Sequence, residues 1–354
     1  MGYRIALVDF WAGLAESVRR ADSPETAKSL LCGQSGLRSP YCDEVAEIRV
    51  FGRATDIPLD FAPDVVIFSV FGQPRPGDGR CSEEVKARFP GARAVLYSGE
   101  CSRPDPLADS CLTMAPTQSA GPGKNNFYCP LWAFRCFVRR GAGTEGRRGE
   151  WADSVCFADA MDVSGWVRSP PPKGSPRVGF ATFVYSNAVF EREEIASRVS
   201  AAAQRLAGPG SRVSFGGRRL NHLSPGVGPV PDKKRLLERH AFDLAFENQR
   251  SPGYVTEKIL DAYASGCIPV YWGAPDVGLT FRKSTFLDAS DFGSPESLAA
   301  HMCRVCSDRA LYESYFSEPI LTDAWLARVG LDGGRRFARE VRDAVVGCEK
   351  NVCL

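Results

Sequence analysis

At 354 residues the chain is long enough for two domains, each with its own core. Hydrophobic residues at 44% and charged residues at 24% are ordinary for a soluble globular protein. With 44 Lys+Arg against 42 Asp+Glu the net charge is +2, which counts against nucleic acid as a partner, and the 3 His restrict histidine-based metal sites.

No apolar run approaches the ~20 residues needed to cross a bilayer. The opening MGYRIALVD lacks the basic start of a signal peptide, and Asp9 interrupts its apolar run. It also fails the myristoylation pattern, because Ala6 stands where Ser or Thr is needed. No Asn-x-Ser/Thr acceptor occurs. The expectation is therefore a soluble cytoplasmic protein without a membrane-spanning segment, or a lumenal one if an anchor lies outside this chain. The 13 Cys leave redox state open: Cys303-x2-Cys306 and Cys348-x4-Cys353 read as disulfide halves, as half of a zinc site, or as scattered buried thiols.

Residues 3–8 are an apolar opening strand, followed by a loop whose Trp11 either stacks on a sugar ring or lids the core. Residues 45–50 and 65–70 are further strands, the second a continuous Val-Val-Ile-Phe-Ser-Val run of the kind buried in parallel sheets. A helix over 82–89 leads to a strand over 93–97, so the first half alternates as a doubly wound sheet does. Residues 106–126 and 139–150, rich in Gly, Ser and Arg, read as loops; between them Trp132 reads first as core. Ser169-Pro170-Pro171-Pro172-Lys173-Gly174-Ser175-Pro176 breaks regular structure and reads as a linker.

Beyond it the pattern predicts a strand over 177–185 and a helix over 191–206 with Ile195, Val199, Ala202 and Leu206 on its apolar face. Residues 213–217 form a strand ending in glycines, and 233–239 a basic helix. A short apolar strand over 242–246 runs into a polar loop containing Pro252 and Gly253. Thr256 then reads as an N-cap, with Glu257 in the first turn, Ile259, Leu260 and Tyr263 at helical spacing, and Gly266 at the C-terminal end. The apolar run 267–271 is the next parallel strand. Such a unit sets a polar loop and a helix start at the carboxyl end of a strand, where open α/β sheets bind nucleotide phosphates. Ser294 caps a further helix with Leu298, Met302 and Val305 facing inward.

The stretch FENQRSPGYVTEKILDAYASGCIPVYWG, residues 246–273, resembles the signature of the α1,3-fucosyltransferase family, glycosyltransferase family ten. Every fixed position of its pattern, FEN…Y-[IV]-T-E-K…A…P-[IV]-x-x-G, is present. The resemblance implies a GT-B fold, two Rossmann-like doubly wound domains facing a cleft. It implies an acceptor domain over 1–168, a Pro-rich linker over 169–176, a donor domain over 177–318, and a helical segment over 319–354 that packs back on the first domain. The implied activity is inverting transfer of L-fucose from GDP-fucose to an oligosaccharide hydroxyl. The acceptor implied is the 3-OH of GlcNAc in a LacNAc or Lewis-type glycan, with an α1,3 or α1,4 linkage.

Residue roles follow from the same resemblance. Tyr97-Ser98-Gly99-Glu100 is similar to the family's Y-x-G-E segment, which makes Glu100 the base, with Gly99 letting the chain turn so that the carboxylate points into the cleft. Cys101 stands where the family often has Asn. Phe183-Val184-Tyr185-Ser186-Asn187 resembles the family's FV-x-SN strand end, after which Arg192, or failing it Arg198, is the diphosphate cation beside Lys258. Glu257 is implied as the ribose acceptor, and Asn248 and Tyr254 as lining the diphosphate and sugar. Glu247 either supports the loop or contacts the fucose, and Gly217 belongs to a turn close to the donor or to a plain hairpin. Ser186 and Asn187 complete the donor set; Trp11 and Trp132 are the acceptor candidates. The chain has no Asp-x-Asp, so neither a metal nor another cofactor is expected to be obligatory.

Overall fold

The structure, a computed structural model, describes residues 2–10, 44–70, 80–114, 126–136, 167–172, 179–217, 230, 233–330 and 335–347. The chain divides into two compact units, Met1–Gly141 with Gly334–Leu354, and Ala142–Gly333.

In the first unit six strands form a parallel sheet in the order β2-β1-β3-β4-β5-β6. They are β1 (Tyr3–Val8), β2 (Val45–Phe51), β3 (Val65–Ser69), β4 (Arg93–Tyr97), β5 (Ser110–Thr113) and β6 (Asn126–Tyr128). Every residue of β3 is buried, as the continuous apolar run predicts for a strand covered on both faces. Helix α1 (Arg80–Arg88) contributes Val85 to a core shared with Val66, Phe68 and Leu96. Strand β5 and the first residue of β6 fall in the loop expected over 106–126. Ser110-Cys111-Leu112-Thr113 carries little apolar signal, and its pairing with β4 and burial on every residue come from tertiary context. The expected loop over 139–150 lies outside the described residues. Trp132 sits in α2 (Leu131–Cys136) and is fully buried. The C-terminal helix α7 (Arg335–Val346) belongs to this unit: Arg93 donates to the carbonyls of Val345 and Ala344 at 3.2 and 3.3 Å, and Phe337 packs on Phe127 with ring centroids 5.9 Å apart.

In the second unit five parallel strands follow the order β11-β10-β9-β7-β8. They are β7 (Gly179–Tyr185), β8 (Val213–Gly217), β9 (His240–Phe246), β10 (Ile268–Trp272) and β11 (Leu287–Asp288). Helices of this unit include α3 (Phe190–Ala207), α4 (Lys233–Leu237), α5 (Lys258–Ala264) and α6 (Pro295–Ser307). The α3 face buried against the sheet runs through Arg192, Ala196, Val199 and Ala203, at the spacing of one helical stripe. Leu206 continues that spacing but is exposed, because an 18-residue helix is about 27 Å long and outruns the strands beneath it. Ser294 caps α6 by accepting from the Ser297 N–H, and Leu298, Met302 and Val305 are buried, as expected.

Arg168, expected at the end of the first domain, is an anchor of the second unit. Its guanidinium donates to the carbonyls of Cys267, Thr285 and Tyr315 at 2.7, 3.3 and 2.8 Å, and lies 4.5 and 4.3 Å from the rings of Tyr263 and Phe316. The Pro171 carbonyl accepts from Arg309 at 3.2 Å. Residues 167–172 are thus docked on the second unit, ahead of the boundary that their prolines suggest. Cys303 and Cys306 on α6 are free thiols; Cys348 and Cys353 lie outside the described residues. No helix among the described residues is long and apolar enough to cross a membrane.

Asp243, on the buried strand β9, shares a desolvated pocket with Lys233 of α4 and Asp261 of α5, which are paired at 2.6 Å. Burial pushes the Asp243 carboxyl up to about 7 from its ordinary 3.8, with Lys233 opposing and Asp261 adding to the shift. The folded state therefore favours the protonated acid. That stability is complete below the unfolded value and is lost as pH rises through 7. Asp243→Asn removes the titration. Melting temperature measured from pH 5 to 9 should fall for the wild type relative to Asp243→Asn by at least about 3 °C across that window; parallel curves would show that Asp243 is ionised in the fold.

Candidate functional site

The strand order of the second unit reverses at β7: the chain goes from β7 to β8 on one side and returns to β9 on the other. In open α/β sheets the crevice at the carboxyl ends of such a pair is the ligand site. Here those ends are Tyr185-Ser186-Asn187 and Phe246-Glu247-Asn248. Ser186 and Asn187 are exposed, and Asn248 is half-buried.

One side chain ties the two strand ends together. Arg192, buried in the first turns of α3, donates to the Phe246 carbonyl at 3.0 Å, to Asn248 Oδ1 at 2.8 Å and to the Asn187 carbonyl at 2.6 Å. Its guanidinium lies 5.3 and 5.7 Å from the rings of Tyr185 and Phe183. Guanidinium has no acceptor, so the amide oxygen of Asn248 must face it, and the Asn248 NH2 is left to donate elsewhere. Burial pushes the Arg192 value down, with Glu247 the largest opposing influence, and the group stays a cation. Arg192, expected as a cation in contact with the diphosphate, is 1% exposed and lies beneath the strand ends. The fallback Arg198 is exposed and paired with Glu296 at 2.9 Å, away from these strand ends.

The loop after β9 is built on a second buried charge. Glu247 is wholly buried, and its Oε1 accepts from the Thr256 N–H at 2.7 Å. The Thr256 hydroxyl lies 3.0 and 2.8 Å from the two carboxylate oxygens, and Lys258 Nζ is 2.8 Å from Oε2 and 2.9 Å from Thr256 Oγ1. Thr256 is therefore no N-cap. Glu257 occupies that position without a side-chain cap bond, while the Thr256 hydroxyl serves Glu247 and Lys258. Asp276 accepts from the Gly253 N–H at 2.8 Å, where φ is 74°, and the Tyr271 hydroxyl donates to the Tyr254 carbonyl at 3.3 Å. Tyr254 is buried in the loop, whereas Glu257 is half-buried at its end. Thr256, Tyr271 and Asp276 are the structural residues that sequence reasoning missed. Thr256 was visible in the 246–273 stretch but read for its capping propensity; Asp276 carried no signal.

Gly217 closes the site on the β8 side. A Cβ there would lie 1.8 Å from the Tyr185 carbonyl oxygen, and φ is 113°, so no other residue fits. β8 runs parallel to β7; the residues after Gly217, on which the hairpin alternative depends, lie outside the described residues.

Glu100 belongs to the first unit, three residues beyond the end of β4, and is exposed. Its N–H donates to Ser98 Oγ at 3.1 Å, and Ser98 Oγ donates to the Glu100 carbonyl at 3.0 Å, so a buried serine shapes the turn. Gly99, expected to supply that turn, has no left-handed backbone, and a Cβ there would meet Leu131 only at 3.5 Å. The chemistry of the turn is Ser98's. Trp132 is fully buried and cannot touch an acceptor; Trp11 lies outside the described residues.

Residues 198–318 match the family model described as glycosyltransferase family 10 (fucosyltransferase) C-term. The chain is 39% identical over 114 residues to an α-(1,3)-fucosyltransferase FucT of Helicobacter pylori, covering 32% of this chain and 22% of that protein. It is 40% identical over 83 residues to the human GDP-fucose protein O-fucosyltransferase 3, covering 23% and 17%, and 35% identical over 112 residues to an α-(1,4)-fucosyltransferase of Arabidopsis thaliana, covering 32% and 26%. The matched segments thus span about a quarter or less of those relatives' own lengths. Among solved structures, an α1,3-fucosyltransferase is similar at a TM-score of 0.62 and 20% identity, covering 98% of this chain and 91% of that one. An α1,3-fucosyltransferase with GDP-fucose is similar at 0.58, again at 20% identity and with coverage of 98% and 91%. At that identity the likeness speaks for the fold, two parallel-sheet α/β units of the GT-B class.

The buried latch has a measurable consequence. Arg192→Lys keeps the charge but cannot reach three acceptors spread over two strands. Urea unfolding should show a loss of about 1–3 kcal/mol, as expected when buried acceptors are left unpaired. The exposed Arg198→Lys should leave stability unchanged. Equal effects of the two substitutions would contradict the latch.

Proposed function

From the premise that residues 198–318 are a family 10 fucosyltransferase C-terminal domain, we propose that the chain is an inverting fucosyltransferase that uses GDP-fucose. The observation that supports this most is the convergence at the β7/β9 switch point of Lys258 and the Asn248 amide, both within that matched segment, with the Arg192 cation, which precedes it. Lys258 Nζ has one N–H not taken by Glu247 or Thr256, and that hydrogen donates to a diphosphate oxygen. The Asn248 NH2 donates beside it, while Arg192 supplies positive charge from below without itself opening to solvent. Glu257, at the end of the loop, accepts from a ribose hydroxyl, and Ser186, Asn187 and Gly217 line the crevice without adding bulk at position 217.

The acceptor oxygen attacks the anomeric carbon of fucose from the face opposite GDP, and its proton passes to the Glu100 carboxylate. The bond from that carbon to the β-phosphate oxygen breaks, its electron pair leaves on GDP, and Lys258 and Arg192 compensate the charge. The new linkage is α. No metal or other cofactor is required in this scheme, since side-chain cations meet the leaving group.

The acceptor proposed first is the 3-OH of GlcNAc in a LacNAc or Lewis-type glycan, giving an α1,3 linkage, with α1,4 transfer as its variant. A second acceptor, a protein hydroxyl, is favoured by the 40% identity to a GDP-fucose protein O-fucosyltransferase. LacNAc and unglycosylated folded protein domains offered side by side with GDP-fucose discriminate the two.

Glu100→Gln tests the base. The loss of a positioned general base should lower kcat by about 10²–10⁴ while GDP-fucose affinity stays within about twofold. GDP release in the presence of acceptor, with calorimetric binding as control, reads both, and excess chelator should leave the wild-type rate unchanged. A wild-type kcat for Glu100→Gln would remove Glu100 from the mechanism.

A further inference from the structure

Resting on the fucosyltransferase reading above, we infer that Glu247 is the positioning residue of Lys258 and acts on the donor diphosphate only through that lysine. Two roles are open to a carboxylate at this place, contact with the sugar or support of the loop, and burial excludes the first. The Glu247 side chain has zero exposure, and both its oxygens are taken by Thr256 and Lys258. Room for it exists because position 273 has no side chain: a Cβ on Gly273 would lie 2.6 Å from Glu247 Cγ.

The hydrogen bonding around Lys258 has a direction. The Thr256 hydroxyl has one proton, which it gives to the Glu247 carboxylate, so a lone pair of Oγ1 is free to accept from Lys258 Nζ at 2.9 Å. The carboxylate accepts a second ammonium hydrogen at 2.8 Å. Two of three N–H bonds are thereby held, and the third points along the one remaining tetrahedral direction. A lysine ammonium is ordinarily a point charge on a flexible stem. Here the buried carboxylate converts it into an oriented donor. The Glu247–Lys258 pair is charge-balanced, so what it offers an anion is chiefly that oriented N–H. Removing Lys258 leaves a buried carboxylate without its cation, and removing the Glu247 charge frees the ammonium to rotate.

A double-mutant cycle with GDP as the calorimetric probe on the full chain separates positioning from loop support. Glu247→Gln retains the shape and one acceptor for the Thr256 N–H but cannot accept from Lys258. It should raise the GDP Kd at least about tenfold in the wild-type background and less than about twofold in a Lys258→Ala background. Thr256→Val is the second variant, in case Glu247→Gln folds poorly; it deletes only the hydroxyl bridge and should show the same dependence on Lys258. Equal weakening by these variants in both backgrounds, or no weakening in either, overturns the inference while leaving the donor site intact. Failure of the wild type to bind GDP, or equal binding by wild type and Lys258→Ala, overturns the donor assignment and the inference with it.

Discussion

Two buried charges, Arg192 of α3 and Glu247 at the end of β9, govern the strand ends of the second unit. Parallel strands that diverge leave their last carbonyls without ladder partners, and in a dry interior each such group must be satisfied or costs free energy. Arg192 meets that need for Phe246 and Asn187 at once, and a guanidinium fork is the side chain whose geometry spans two strands. Glu247 does the same for the far end of the loop by accepting from Thr256 and Lys258. Neither charge is stabilising for its own sake, since desolvation opposes both. Their effect is to make the strand-end geometry single-valued, so that removing either partner leaves an unpaired charge in place of a merely looser loop.

The loop between these two charges gains rigidity from small features. Gly253 takes a left-handed conformation while its N–H reaches Asp276, and the Tyr271 hydroxyl ties the Tyr254 carbonyl to the next strand. Gly273 makes room for Glu247, and Gly217 makes room for the Tyr185 carbonyl. Functional groups carried by strand ends and held by a second layer of hydrogen bonds need little reorganisation when an anion arrives. In the first unit the corresponding device is smaller: Ser98 pins the turn that carries Glu100 beyond β4.

Much of this architecture was legible from residues 246–273, because a strand, a polar loop, a helix and a strand in under thirty residues have few packings other than a parallel pair with its crossover. The apolar runs at 3–8, 65–70 and 93–97 likewise declared buried parallel strands. What stayed hidden has physical reasons. β5 and β6 are short, and only pairing, of β5 with β4 and of β6 with β5, makes them strands. Arg192 reads as a diphosphate cation, yet its stripe with Ala196, Val199 and Ala203 carries it into the sheet. Thr256 has the chemistry of a cap but finds a buried carboxylate nearer, and Trp132, an aromatic eligible for sugar stacking, is consumed by the core. Propensity reads the local chain. Partners 9 or 54 residues away decide what a polar side chain does.

The account turns on one place, the carboxyl ends of β7 and β9, as the seat of a guanosine diphosphate. Amide hydrogen exchange of the intact chain with and without GDP tests this most directly. GDP should slow exchange at 186–190 and 248–258, with little change elsewhere in the second unit. Protection confined to other strand ends, or none at saturating GDP, would contradict it.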